Sequence, residues 1–196
     1  MRLSPPVTIL TIVAVALASI SIARWLRLND RREESCSAAL AYLQYVDARK
    51  QKPLLIHDEG WGGPTQEDIS RAIRGDPDVR KHPDFEIYEH AANIQEVSPV
   101  LDCPGVLSWL RSKKIAHHDR HVIDKLLRPF QGLDGETYPW DVIGMSMPAI
   151  SNDRGRSIFD SSIYGALLGG AIYRVEMAQD HDGRWFVVRT SVMAVS

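Results

Sequence analysis

His117-His118-Asp119-Arg120-His121 is the densest run in this chain of side chains able to bind a metal or move a proton. Read as the start of a helix over 117–128, it puts His117 and His121 one turn apart on one face. Two imidazoles at that spacing chelate a divalent cation in zinc-dependent hydrolases. The residue after the first histidine is His118, where those enzymes place the glutamate that acts as general base. A third ligand must come from elsewhere, and His57, Asp58 and His90 are the candidates. The alternative is a solvated helix start, with Asp119 near the positive end of the helix dipole.

His57-Asp58-Glu59 follows a short apolar run, 53–57, that reads as a strand. Acids and bases at a strand end can serve proton transfer. Neighbours on a strand point to opposite faces, so Asp58 and Glu59 would not share one site. A polar turn leading into Gly60-Trp61-Gly62-Gly63 is the plainer reading.

Nucleophilic arrangements find little support. There is no G-x-S-x-G elbow. Cys103 with a histidine would make a thiol dyad, but Pro104 follows it and a bridge to Cys36 competes. Gly169-Gly170 lacks the Lys-Ser/Thr of a phosphate loop and reads as a tight bend. With no complete catalytic constellation, the residues favour a non-catalytic binding or assembly module over an enzyme. The alternative is a metal-assisted hydrolase using His117 and His121. No cofactor is called for beyond a divalent metal at that pair. Trp61 among glycines, and Tyr138-Pro139-Trp140, are the candidate ligand or partner contacts. Ordinary packing is the alternative for these aromatics and suits Trp185 best.

The elements that must position these residues divide the chain in two. A helix over 35–50 carries Cys36, Ala39, Leu40, Leu43 and Val46 on one face, with Ser35 as N-cap. Thr65 caps a second helix that ends at Gly75. Residues 85–93 suit either a strand and turn or a helix. Pro104 opens a further helix, with Val106, Leu107 and Leu110 inward. The helix from His117 turns Val122, Ile123, Leu126 and Leu127 inward. The C-terminal third then changes to strands over 142–147, 157–164, 171–179 and 185–195, with turns at 152–155 and 180–183. In the third of these, Tyr173, Val175 and Met177 form the set to be buried. Helices followed by an antiparallel meander of about four strands make an α+β domain.

The chain begins differently. Residues 7–23, VTILTIVAVALASISIA, hold no charge, with Arg2 before them and Arg24, Trp25 and Arg27 after. A spanning helix needs roughly 20 apolar residues, with about 17 as the lower limit. The run sits at that limit, and Arg24 and Trp25 are its interfacial anchors. The alternative is a cleaved signal peptide, since Ala16-Leu17-Ala18 and Ser21-Ile22-Ala23 resemble small-x-small sites. Residues 1–35 thus form an anchor or signal with a charged linker, and 36–196 one domain. Arg24, Arg27, Arg31 and Arg32 would favour a cytoplasmic domain by the positive-inside rule. The short N-terminal tail and the acidic residues among them favour export. The expected place is the bacterial inner membrane with the domain in the periplasm, or the periplasm after cleavage, and an envelope protein is the expected partner.

Composition agrees with this setting. The formal net charge of −2 advertises no nucleic acid partner. Charged residues at 24% and apolar ones at 44% exclude wholesale disorder. The chain has two cysteines, Cys36 and Cys103, which would pair in an oxidising space. Their bridge would close a loop of about 68 residues, worth on the order of 4 kcal/mol. Two buried thiols are the alternative. Glu33-Glu34-Ser35 before Cys36 is unlike a lipoprotein cleavage box, and no CxxC suggests a zinc ribbon.

Four segments carry a resemblance: Ser146-Met147-Pro148-Ala149-Ile150-Ser151-Asn152-Asp153, Gly165-Ala166-Leu167-Leu168-Gly169-Gly170, Tyr173-Arg174-Val175 and Asp182-Gly183-Arg184-Trp185-Phe186-Val187-Val188. Over about the last 55 residues the chain resembles a loose group of uncharacterised bacterial proteins with an export or anchor segment. Their meander reads S-x-P/V-x-F-x-x-D, G-x-L-x-G-x-G and D-G-x-W-x-V. The resemblance implies fold and location, and no activity. Many members carry cysteines around the central glycines, where this chain has Ala166 and Leu168. The D-G-x-W-x-V turn is also similar to that of cone-shaped, nuclear-transport-factor-2-like domains. Several of those sit behind one membrane helix as assembly modules.

Overall fold

Apolar alternation and turn chemistry build most of the observed elements. The structure, a computed structural model, describes residues 31–60, 85–130, 138–166 and 169–195. The chain divides into two compact units, Met1–Glu33 and Glu34–Ser196. Arg24, Trp25 and Trp61, with the expected membrane segment and the helix from Thr65, lie outside the described residues. Among the described residues no helix is long and apolar enough to cross a membrane.

The first helix, α1, spans Arg32–Asp47. Ser35 does not cap it; it lies inside the helix and is buried with Ala38, Ala39, Tyr42 and Leu43. The buried stripe is rotated from the expected one because Tyr42 turns inward, its ring edge-on to Phe159 at 4.9 Å. Strand β1 (Leu54–His57) follows, then α2 (Phe85–Asn93) and α3 (Pro104–Lys113). Residues 85–93 are therefore helical, with Ile87, His90 and Ala91 on the buried face. Pro104 opens α3 as expected, and Lys114 closes it in the left-handed region at φ 56°.

The helix expected from His117 begins at Arg120. His117 and His118 belong to strand β2 (Ala116–His118), and α4 spans Arg120–Leu127. Asp119 makes the switch: its backbone is extended, and its carboxylate accepts the Val122 N–H at 2.8 Å. A short 3-10 turn, Arg128–Phe130, ends that helix.

The remaining strands are β3 (Asp141–Met145), β4 (Ala149–Ile150), β5 (Arg156–Ala166), β6 (Gly169–Gln179) and β7 (Trp185–Val195). The domain is α+β, but among the described residues its sheet holds seven strands rather than about four. Their order is β2-β1-β3-β5-β6-β7, with β4 pairing β5. Strands β2 and β3 flank β1 in parallel, and β3, β5, β6 and β7 run antiparallel in sequence.

Directly paired residues share a face, so the register assigns the two sides of the sheet. One face, called inner here, carries Ile143, Met145, Phe159, Ser161, Ile163, Tyr173 and Val175, and receives α1 through Tyr42. The outer face carries Leu55 and Val142, which pack with Ile123 and Leu127 of α4 and with Tyr138. It also carries Asp160 and Arg174, paired by two hydrogen bonds of 2.7 and 3.1 Å, with the Arg174 guanidinium 5.9 Å from the Tyr88 ring of α2. Val175 and Met177 are buried and Tyr173 partly so, in the alternation expected for β6.

Cys36 and Cys103 form a disulfide, with Cα atoms 5.3 Å apart, tying α1 to the start of α3.

Candidate functional site

Two arrangements gather chemistry-bearing side chains. The larger is a cleft of 510 Å³ between the C-terminal half of α1 and the inner face of the sheet. Tyr42, Tyr45 and Val46 of α1 form one wall; Ile143, Ile163, Tyr173 and Thr190 form the floor. Arg49, Lys50, Gln51 and Lys52, between α1 and β1, form the rim, and Asp141 at the start of β3 is the one carboxylate among the described residues of the lining. Strand β7, which gives Thr190 to the floor, is bulged on either side of that residue. Its register with β6 passes from Met177↔Val187 to Glu176↔Arg189, and from Tyr173↔Val192 to Ile172↔Ala194. Val188 and Met193 are the extra residues, and each bulge bends the strand and increases its twist.

The cleft's polar groups are held in place. The Arg49 guanidinium lies 3.7 Å from the centre of the Tyr45 ring and donates to the Tyr45 carbonyl at 3.2 Å. Lys50 is ion-paired with Asp47. Burial pushes the Tyr42 phenol up to about 12, against the lowering effect of its hydrogen bond with Ser161, so it is a neutral hydroxyl at any ordinary pH. A concave site with aromatic walls, an apolar floor and a cationic rim suits an anionic ligand with an apolar body.

The second arrangement joins two segments singled out from the sequence. His117 Nδ1, in the middle of β2, lies 2.6 Å from Asp58 Oδ1, one residue past the end of the parallel strand β1. Asp58 is itself fixed. Its N–H donates to the His118 carbonyl at 3.0 Å, and its carbonyl accepts from the Ser98 hydroxyl. Ser98 Oγ also accepts the Val100 and Leu101 N–H groups, at 3.1 and 2.9 Å, and the Asp102 carboxylate accepts the Ser98 N–H at 2.8 Å. A carboxylate on one imidazole nitrogen sets the tautomer and leaves the other nitrogen to act as a base or metal ligand.

The other expected site residues are dispersed. His121 lies in the first turn of α4, exposed, so the single helical face on which it was to meet His117 is not formed. The physical reason is the Asp119 cap, which separates a strand from a helix between the two histidines. His57 pairs in register with His118 and lies on the opposite face from Asp58 and His117. Desolvation holds its imidazole below 6.5; Asp124, Glu59 and Asp58 work against that and Arg120 adds to it. His90 is buried, and its Nδ1 accepts the Ile150 N–H at 2.9 Å. Tyr138 is 8% exposed within the α4 cluster, and Trp140 meets Phe130 edge-on at 6.1 Å.

Among the described residues, Asp180, His181 and Asp182 in the β6–β7 turn bring three ligand atoms within 4.8 Å. The Asp180 carboxylate there already accepts the Asp182 and Arg184 N–H groups, each at 2.9 Å. Sequence reading passed over the cleft residues. The basic run Arg49-Lys50-Gln51-Lys52, placed after a helix with Tyr42 and Tyr45 one turn apart, was the available signal. Compared with known proteins, the chain matches no family model, no curated protein and no solved structure.

Proposed function

We propose that this is a membrane-anchored envelope protein whose α+β domain is a non-catalytic binding module, with the cleft beneath α1 as its ligand site. The observation that carries the reading is the cleft itself: tyrosine walls, an apolar floor, and Arg49, Lys50 and Lys52 on the rim. The Cys36–Cys103 disulfide supports an oxidising compartment, and the uncharged run 7–23 supports the anchor. The test is calorimetric titration of 1-naphthyl phosphate into the full-length chain in phosphatidylcholine nanodiscs. One saturable site is expected. Arg49→Ala should weaken it about tenfold, the scale of one charge-assisted hydrogen bond, and Thr190→Trp should remove it by filling the floor. Binding that ignores both substitutions would sink the reading.

The Asp58–His117 contact favours a second reading, a metal-assisted hydrolase. In it His117 is a metal ligand through Nε2 and Asp58 orients the ring. Zinc titration should then give a stoichiometric site that His117→Ala abolishes and Asp58→Asn weakens about 10- to 100-fold. A protein that takes up no zinc refutes it.

A further inference from the structure

Opposite charges line the cleft beneath α1 without meeting. Asp141 stands two residues before Ile143 on β3, on the inner face that forms the floor. Its N–H donates to the Pro53 carbonyl at 2.9 Å and it pairs in register with Leu54, which fixes its backbone. Its half-buried carboxylate makes no hydrogen bond or ion pair among the described residues. The rim cations are not equivalent. Lys50 is spent on Asp47, and Lys52 has a partner of its own. The Arg49 guanidinium lies against the Tyr45 ring and gives one N–H to the Tyr45 carbonyl. Its other N–H groups meet no carboxylate among the described residues. Stacking holds Arg49 at the end of α1 and strand pairing holds Asp141 on β3, so the two do not neutralise each other. A simple anion at Arg49 would share one cleft with the like charge of Asp141. A simple amine at Asp141 would share it with Arg49. A molecule bearing both charges satisfies both sides at once.

We propose that the ligand is a small zwitterion on an aromatic body, with its anionic group at Arg49, its ammonium at Asp141 and its ring over Ile143 and Ile163 beside Tyr173. This rests on the binding-module reading and specifies the ligand class for the same cleft. A volume of 510 Å³ suits a small molecule. The ammonium is primary, because a carboxylate acceptor rewards N–H donors. The anion is a carboxylate or a phosphoryl group, both of which match the fork of a guanidinium.

The test is calorimetric titration of the full-length chain in dodecyl maltoside micelles, whose head groups carry no charge. Four ligands share one phenyl body: L-phenylalanine, its aminophosphonate analogue, 3-phenylpropionate without the ammonium, and phenethylamine without the anion. A zwitterion should bind one site about tenfold or more tighter than either single-charge compound, the scale of a charge-assisted hydrogen bond. The tighter of the two zwitterions tells carboxylate from phosphoryl, and either supports the shared chemistry. Asp141→Asn should erase the advantage over 3-phenylpropionate while 1-naphthyl phosphate binds that variant as well or better, which also shows that it folds. Arg49→Ala should erase the advantage over phenethylamine. An advantage over 3-phenylpropionate that survives Asp141→Asn overturns the proposal. If 1-naphthyl phosphate binds but 3-phenylpropionate matches both zwitterions, the zwitterion is refuted and a simple anion remains. If neither 1-naphthyl phosphate nor any of the four binds, the binding-module reading fails first.

Discussion

Removing the Cys36–Cys103 bridge tests how the domain is held together. The two residues are 67 apart in sequence, so the bond constrains a long loop of the unfolded chain. Loop-closure entropy for that length comes to about 4 kcal/mol at 25 °C. That is a large share of the roughly 5–15 kcal/mol by which domains are stable. With a urea slope of about 2 kcal/mol/M, the midpoint should fall by roughly 2 M. Native contacts change little in Cys36→Ala with Cys103→Ala, since α1 stays packed through Ala38, Ala39, Tyr42 and Leu43. The assay is pulse proteolysis in urea on full-length protein in nanodiscs, comparing oxidised, reduced and double-alanine forms. The last two should agree with each other, and 1-naphthyl phosphate should still bind both in the absence of urea. A midpoint loss equivalent to less than about 1 kcal/mol would refute the unfolded-chain argument.

Three further outcomes follow from the packing. The Asp160 and Arg174 side chains are 8% and 12% exposed. Asp160→Ala should therefore cost about 3–5 kcal/mol in the same proteolysis assay, and Asp160→Leu with Arg174→Met less than that single change. The folded His57 titrates below 6.5, so the unfolded chain takes up a proton first as pH falls. Its contribution should be full above pH 6.5, decline as pH drops below that value, and level off once the folded imidazole protonates; His57→Gln should flatten that segment of the stability–pH curve. A methyl group on Gly60 would stand 2.9 Å from the Val97 carbonyl oxygen, which is backbone and gives way poorly. Gly60→Ala should cost about 1–3 kcal/mol by urea midpoint, and an unchanged midpoint would show that the loop yields freely.

What could be read from sequence follows the range of the interactions involved. Strand β7 occupies the expected 185–195 because its turn is local, with Gly183 at φ 76° closing it. The cysteine pair was legible because two thiols leave one pairing. Strand β2 was not: three residues ending in two histidines show no apolar alternation, and their pairing with β1 depends on residues some sixty positions earlier. The same distance hid the contact between Asp58 and His117, although both stood among the candidates. The inward turn of Tyr42 depends on Phe159, far along the chain, so the helix period alone chose the wrong stripe. The cleft was out of reach for a further reason. The bulges that flank Thr190 of its floor come from unpaired residues in β7, and neither Val188 nor Met193 differs in type from an ordinary strand residue.

Those bulges have a consequence for solubility. An edge strand of 11 residues with exposed Phe186, Val188, Val192, Met193 and Val195 would otherwise be a flat template for another chain's strand. Displaced at Val188 and again at Met193, β7 keeps only Arg189, Thr190, Ser191 and Val192 in regular register between the breaks. Four residues fall short of the six or seven that a self-stacking segment requires. The same two insertions that flank Thr190 of the cleft also leave the open side of the sheet with too short a regular register to template fibril growth.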